Sequence, residues 1–271
     1  MVFTDIDILL NKYKKLNFSL SIEEEKELLY KYVYVTNKLE GNKLSFIQTT
    51  QLLSSDTISG ENIRLPDILE QKGMFKALIR MFKAIKDNEN LSIELILEFN
   101  WLILSSLWKN DNSYIDVKLK GQKENKFKIS DNVIIIRKSD KIIKRIKPLS
   151  SPKNVEKNMN LLVETINKSD KHIIEKAAYL AQEIWLHQPF LDGNKRTGRL
   201  LINFLTMKQN FPLFVFEDES KNYNNILIEQ YLESKPNVIT NYIKDKLRNK
   251  INYYLNLKKT INKNTGFRMI L

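Results

Sequence analysis

The chain has 271 residues, no cysteine, two histidines and a formal charge of +12. That length suits one large domain or one domain with appendages, the missing thiols exclude a disulfide framework and a thiolate metal site, and two histidines far apart leave a His-rich zinc site without ligands. The basic charge is lysine spread along the whole chain with no aromatic-interleaved patch, which reads as solvated surface and argues against a nucleic-acid binder.

No Arg/Lys-led apolar segment opens the chain, and no long uncharged apolar run interrupts it. The expectation is a soluble, cytoplasmic protein with no membrane contact. Taken in chain order, the elements are mostly helices. Ser21 with Glu24 forms a capping box that opens a helix to about Leu39, with Gly41 as a left-handed stop. Ser45 with Gln48 opens a short one. Apolar Ile68, Phe75, Leu78, Ile79 and Phe82 predict a long amphipathic helix over about 65–86. Ser92 caps the next, through Ile96, Phe99 and Ile103 to Trp108.

From about 111 to 147 the pattern changes. Phe127, Ile129, Val133 to Ile136, Ile142, Ile143 and Ile146 are apolar and largely β-branched, broken by Lys138-Ser139-Asp140, which predicts a hairpin with a polar turn. Ser151-Pro152 starts a further helix, with Pro at its tolerated first position. Ser169 caps another, whose stripe of Ile173, Ala177, Leu180 and Ile184 continues to His187. His172, near its start, reads as a surface residue. A helix over about 194–208 follows, then two more at roughly 223–233 and 236–256.

The stretch from His187 to Arg199, HQPFLDGNKRTGR, concentrates chemistry. Gly193 permits a tight turn and close backbone approach to a ligand. The first amides of the following helix lack internal partners and favour an anion. Lys195, Arg196 and Arg199 add charge-assisted donors for phosphate oxygens. Asp192 is a hard ligand for the Mg²⁺ that accompanies a nucleotide. His187 is placed to take a proton near neutral pH; a packing histidine at the end of an apolar stripe would look the same. A P-loop is excluded, because Arg199-Leu200 stands where Lys-Ser/Thr is required.

These residues resemble the active-site motif of the Fic family, His-Pro-Phe-x-Asp/Glu-Gly-Asn-Gly/Lys-Arg-x-x-Arg, from Pro189 to Arg199. The resemblance implies a mainly α fold, a Fic-type helical bundle with a β-hairpin flap that docks a target protein. It also implies transfer of AMP from ATP, with Mg²⁺, to a target hydroxyl, with auto-modification as a further outcome. On this reading Asp192 holds the metal, and Gly193, Asn194, Lys195, Arg196 and Arg199 hold the phosphates. Two positions depart from the pattern. Gln188 stands where the family has its catalytic His, so either His187 serves as the base or the base is lost. Lys195 replaces the usual Gly, as in the related Doc kinases, which leaves γ-phosphate transfer as an alternative.

A second resemblance lies at Thr36 to Asn42. Thr36, Glu40, Gly41 and Asn42 fit the family's inhibitory motif, which implies that Glu40 pairs with Arg199 and occupies the place of the ATP γ-phosphate. The resulting division is an N-terminal region, 1–60, with the inhibitory helix; a core, 61–216, with the flap at about 111–147 and the motif at 187–199; and a helical extension, 217–271, that either packs on the core or forms a dimer contact.

Overall fold

The computed structural model describes residues 2–16, 20–61, 63–110, 122–138, 141–216 and 237–266, with positions 226, 229 and 235 singly. Nine helices and one two-stranded sheet are found among them. The helices are α1 (Thr4–Lys15), α2 (Ile22–Lys38), α3 (Phe46–Ser55), α4 (Leu65–Lys86) and α5 (Ile93–Asn110) before the sheet. Strands β1 (Ile134–Lys138) and β2 (Lys141–Ile146) come next. Helices α6 (Val155–Lys168), α7 (Ile173–His187), α8 (Asn194–Lys208) and α9 (Val238–Gly266) complete the chain. The fold is mainly α, as the sequence predicts, and no described helix is long and apolar enough to cross a membrane.

Helix α8 is the central element. Every residue from Arg196 to Thr206 is buried, polar ones included, the pattern of a helix surrounded by others. It packs most closely on α7, and α5, α4 and α2 also contact it. Phe99 of α5 meets Phe204 of α8 edge-on at 6.0 Å. Met74, Ala77, Leu78 and Met81 of α4 fill the same core from the next layer.

Both predicted capping boxes are present, Ser21 with Glu24 and Ser45 with Gln48. The stop of α2 also forms: Gly41 has φ +95°, its N–H donates to the Lys38 carbonyl and that of Asn42 to the Asn37 carbonyl, the paired bonds of a Schellman turn. Two starts move. Ser151 and Pro152 form a turn ahead of α6, which begins three residues after Pro152. Helix α7 is capped by His172, not Ser169, with Nδ1 accepting from Ile174 N–H at 3.2 Å. His172 is half-buried, stacked on Phe3 at 4.0 Å with its Nε2 3.1 Å from Asp7. An imidazole in the right tautomer accepts as Asn does, which the usual cap preferences do not include.

Helix α1 is the element the chain-order reading passes over; Ile6 and Leu10 bury its inner face. Helix α9 packs on α1 and α7, burying Ile239, Ile243, Leu247 and Ile251. The helix expected at about 223–233 lies outside the described residues apart from two positions. The hairpin is antiparallel, pairing Ile134 with Ile146, with a bulge between Ile136 and Arg137. Ile134 and Ile136 are buried while Ile135, Ile142 and Ile143 are exposed. Residues 111–121 and the turn residues Ser139 and Asp140 lie outside the described residues.

Candidate active site

The motif is a loop, 188–193, joining α7 to α8 and held from one side by the segment that leads into the flap. Lys128 N–H donates to the Pro189 carbonyl at 2.9 Å, and Lys128 Nζ reaches the His187 carbonyl at 3.3 Å and Asn132 Oδ1 at 2.8 Å. Asn132 Nδ2 donates to the Phe190 carbonyl at 2.9 Å. The carbonyls of Pro189 and Phe190 thus turn toward residues 128–132, while the amides of Phe190 and Leu191 donate to Asn194 and Gln122. Burial pushes the Lys128 ammonium down to about 8 against a weaker pull from Asp131.

Gly193 has φ +76°, and a Cβ there would lie 2.8 Å from Asn100 Nδ2, so the turn into α8 requires glycine. Asn100, from α5, donates to the Asp192 carbonyl at 3.0 Å and to Thr197 Oγ1 at 3.2 Å. Asn194 closes the loop on itself: Oδ1 accepts from Phe190 N–H, and Nδ2 donates to the Phe190 carbonyl and to Gln188 Oε1 at 2.9 Å. Asn194 is therefore a brace of the loop. Asp192 Oδ1 accepts from Gly193 N–H at 2.5 Å, while Oδ2 lies 3.8 Å from Arg196.

Gln188 and His187 face different partners. Gln188 ends α7 in the left-handed conformation, φ +46°, and its side chain is bonded to Asn194 inside the motif. His187 presents Nδ1 to Ser150 Oγ at 2.6 Å and Nε2 to Glu183 at 3.2 Å. Its ring is half-buried, with 14% of the side chain exposed, enough to keep it within reach of solvent.

The segment Thr36 to Asn42 meets the motif. Glu40 Oε1 accepts from Arg199 at 2.8 Å, and its Oε2 lies 2.6 Å from Lys195 Nζ. Burial alone would raise the Glu40 carboxyl, but Lys195, Arg199 and Arg196 outweigh it and hold the group below the ordinary carboxylate range. Arg199 is fully buried and also donates to the Thr36 carbonyl at 3.0 Å. The Thr36 hydroxyl is buried with no hydrogen-bond partner among the described residues; the residue serves through its backbone. Asn42 is 2% exposed and fully bonded, to the Asp67 carbonyl, Glu70, Gln71 and Leu44 N–H.

Arg196 is occupied too. It donates to Glu70 at 2.9 Å and to Asn37 Oδ1 at 3.3 Å. Glu70, Asn37, Gln71 and Asn100 are site residues that motif reading misses. Their signal was polarity on helix faces otherwise apolar, since a buried polar side chain needs partners.

No cluster of three or more His, Asp or Glu side chains is placed to hold a metal ion among the described residues. Asp192, with 43% of its side chain exposed, fits the weaker demand of a magnesium ion that arrives on a nucleotide and takes one protein carboxylate.

A family profile described as Fic/DOC matches residues 90–206. A protein adenylyltransferase, fic-1, of Caenorhabditis elegans is 30% identical over 202 residues, covering 72% of this chain and 35% of that protein; the chain thus spans about a third of the length of that relative. Among solved structures, a Fic-domain signalling protein of Bacteroides thetaiotaomicron superposes with a TM-score of 0.77 at 26% identity, over 95% of this chain and 97% of the other. Residues 134–508 of the C. elegans Fic-1 share the fold, with a TM-score of 0.74 at 23% identity, over 94% of this chain and 70% of the other. Motif, profile and fold agree, and the chain belongs to the Fic/DOC family.

Proposed function

We propose that this chain is a protein adenylyltransferase that rests in a closed state set by its own Glu40. The observation that carries the reading is the carboxylate of Glu40 bonded at once to Arg199 and Lys195, two of the motif cations assigned to the triphosphate. A guanidinium fork satisfies one anion well at a time. Glu40 therefore competes with a phosphate for the same donors.

With Glu40 displaced, the motif offers what phosphoryl chemistry requires, which is chiefly positioning and charge neutralisation. Lys195 and Arg199 hold the outer phosphates, and the first amides of α8 face an anion. Asp192 would hold magnesium, which supplies further neutralisation of the phosphates. His187 takes the proton of the incoming hydroxyl. That oxygen attacks the α-phosphorus, and the bond to pyrophosphate breaks. Glu183 steadies the imidazole from one turn back on α7; the ring accepts the proton at the nitrogen now facing Ser150. The exposed edge of the flap offers a strand for an extended target segment, and ATP is the co-substrate.

One observation favours a second reading. Gln188, which titrates nowhere near neutral pH, is the side chain bonded within the motif, while both ring nitrogens of His187 are engaged. A chain that binds nucleotide but transfers it poorly would look the same. The test is incubation of the Glu40→Gly chain with ATP labelled at the α or the γ phosphorus. Protein-bound α label with no γ label supports AMP transfer. Bound γ label alone replaces it with a Doc-like kinase. Tight nucleotide binding with neither label supports the second reading.

A further inference from the structure

Among the described residues three acids contact the motif cations, and they differ in freedom to leave. Glu40 lies in the turn after α2, next to Gly41, the one glycine between it and the anchored Asn42. Its side chain can leave by rotation about its own χ bonds while the turn and the bonds of Asn42 stay in place. Glu70 lies in the second turn of α4 and cannot withdraw without the helix. Its two oxygens are already divided: Oε1 accepts from Arg196 and Oε2 from Asn42 Nδ2, each at 2.9 Å. Asp192 sits in the loop itself, 3.8 Å from Arg196.

Arg196 is 3% exposed. A cation so buried needs a fixed counter-charge, and losing one is costly. Among the described residues the other carboxylate within ion-pair distance of this guanidinium is Asp192. Without Glu70, Arg196 would turn toward it and cover the oxygen assigned to magnesium.

We infer that Glu70 is a positioning residue: it holds Arg196 in place as a permanent counter-ion, whereas Glu40 is the acid that exchanges with phosphate. Resting on the nucleotide-binding reading above, this assigns the two glutamates opposite effects. Removing Glu40 strengthens ATP binding. Removing Glu70 weakens it, because Arg196 loses its orientation and Asp192 its availability. If Glu70 were instead a second competitor, its removal would strengthen binding as well.

The experiment is calorimetry on the full chain in the Glu40→Gly background, titrating Mg·ATP and, separately, adenosine. Adding Glu70→Gln should weaken ATP at least tenfold and leave adenosine unchanged. Adding Glu70→Asp instead, which keeps the charge, should recover part of the loss and serves if the Gln variant does not fold. Unchanged or tighter ATP binding overturns the assignment, as does equal weakening of ATP and adenosine, the mark of a merely structural defect. A Glu40→Gly chain that binds adenosine no more weakly than ATP overturns the nucleotide reading itself, and the inference with it.

Discussion

At the scale of single residues, the two positions on which the proposed transfer turns are neighbours. Gln188 is fixed by Asn194 and by its own bond to the Trp185 carbonyl, so it cannot drift out of the motif to admit His187. If His187 is the base, His187→Ala in the Glu40→Gly background should cut transfer of α label by roughly 10²–10⁴-fold, the usual contribution of general base catalysis. Gln188→His should leave the rate within a few-fold. If the chain lacks a base, Gln188→His should create transfer where the parent shows none. Gel autoradiography of the Glu40→Gly chain and its two derivatives separates the cases. The sequence made Glu40 and Arg199 legible because each stands in a recognisable spacing. It did not reveal Glu70, Asn37 or Asn100. They belong to no local pattern, and their partners lie on other helices, 159 residues apart in the case of Asn37 and Arg196.

At the scale of elements, what matters is where helices stop and start. The stop of α2 aims Glu40. Gly41 has φ +95°, and a Cβ on it would meet nothing within 4 Å, so only backbone strain opposes a side chain there. Replacing it by Val should cost on the order of 1–2 kcal/mol and shift the Glu40 carboxylate from its two cations. The expected outcome is a lower urea midpoint together with tighter ATP binding, a pairing that simple destabilisation does not produce. Elements marked by conventional signals were legible: α2, α4, α5 and α8 begin and end within about two residues of their expected bounds. Helix α7 was legible in body but not in cap, because histidine accepts from the backbone here in place of the usual side chains. The hairpin was legible from its β-branched residues. The strap of Lys128 and Asn132 that ties its approach to the motif was not, since a lysine 2% exposed contradicts the ordinary expectation for that residue.

At the scale of the whole molecule, Glu40 links stability to the proposed inhibition. Its carboxyl is held below the ordinary range, whose reference value is 4.5. A depressed carboxylate stabilises the fold fully above its unfolded value, and that contribution fades as pH falls through the lower, folded value. Unfolding at pH 7 and at pH 3 should therefore show a larger loss for the parent than for Glu40→Gln, which has no such proton to take up. The same pair predicts a trade. Glu40→Gly leaves the fully buried guanidinium of Arg199 without its carboxylate, and breaking a buried pair from one side costs roughly 3–5 kcal/mol. For a chain of this size that lowers the melting temperature on the order of 5–10 °C. A ligand that binds only the folded chain restores stability by mass action. Mg·ATP at saturating concentration should therefore raise the melting temperature of Glu40→Gly by several degrees and that of the parent by much less. The triphosphate supplies the charge that the glutamate gave up. Equal shifts in the two chains would mean that Glu40 and phosphate do not compete. A Glu40→Gly chain as stable as the parent without nucleotide would mean that the contact of Glu40 with Arg199 and Lys195 contributes nothing to the fold.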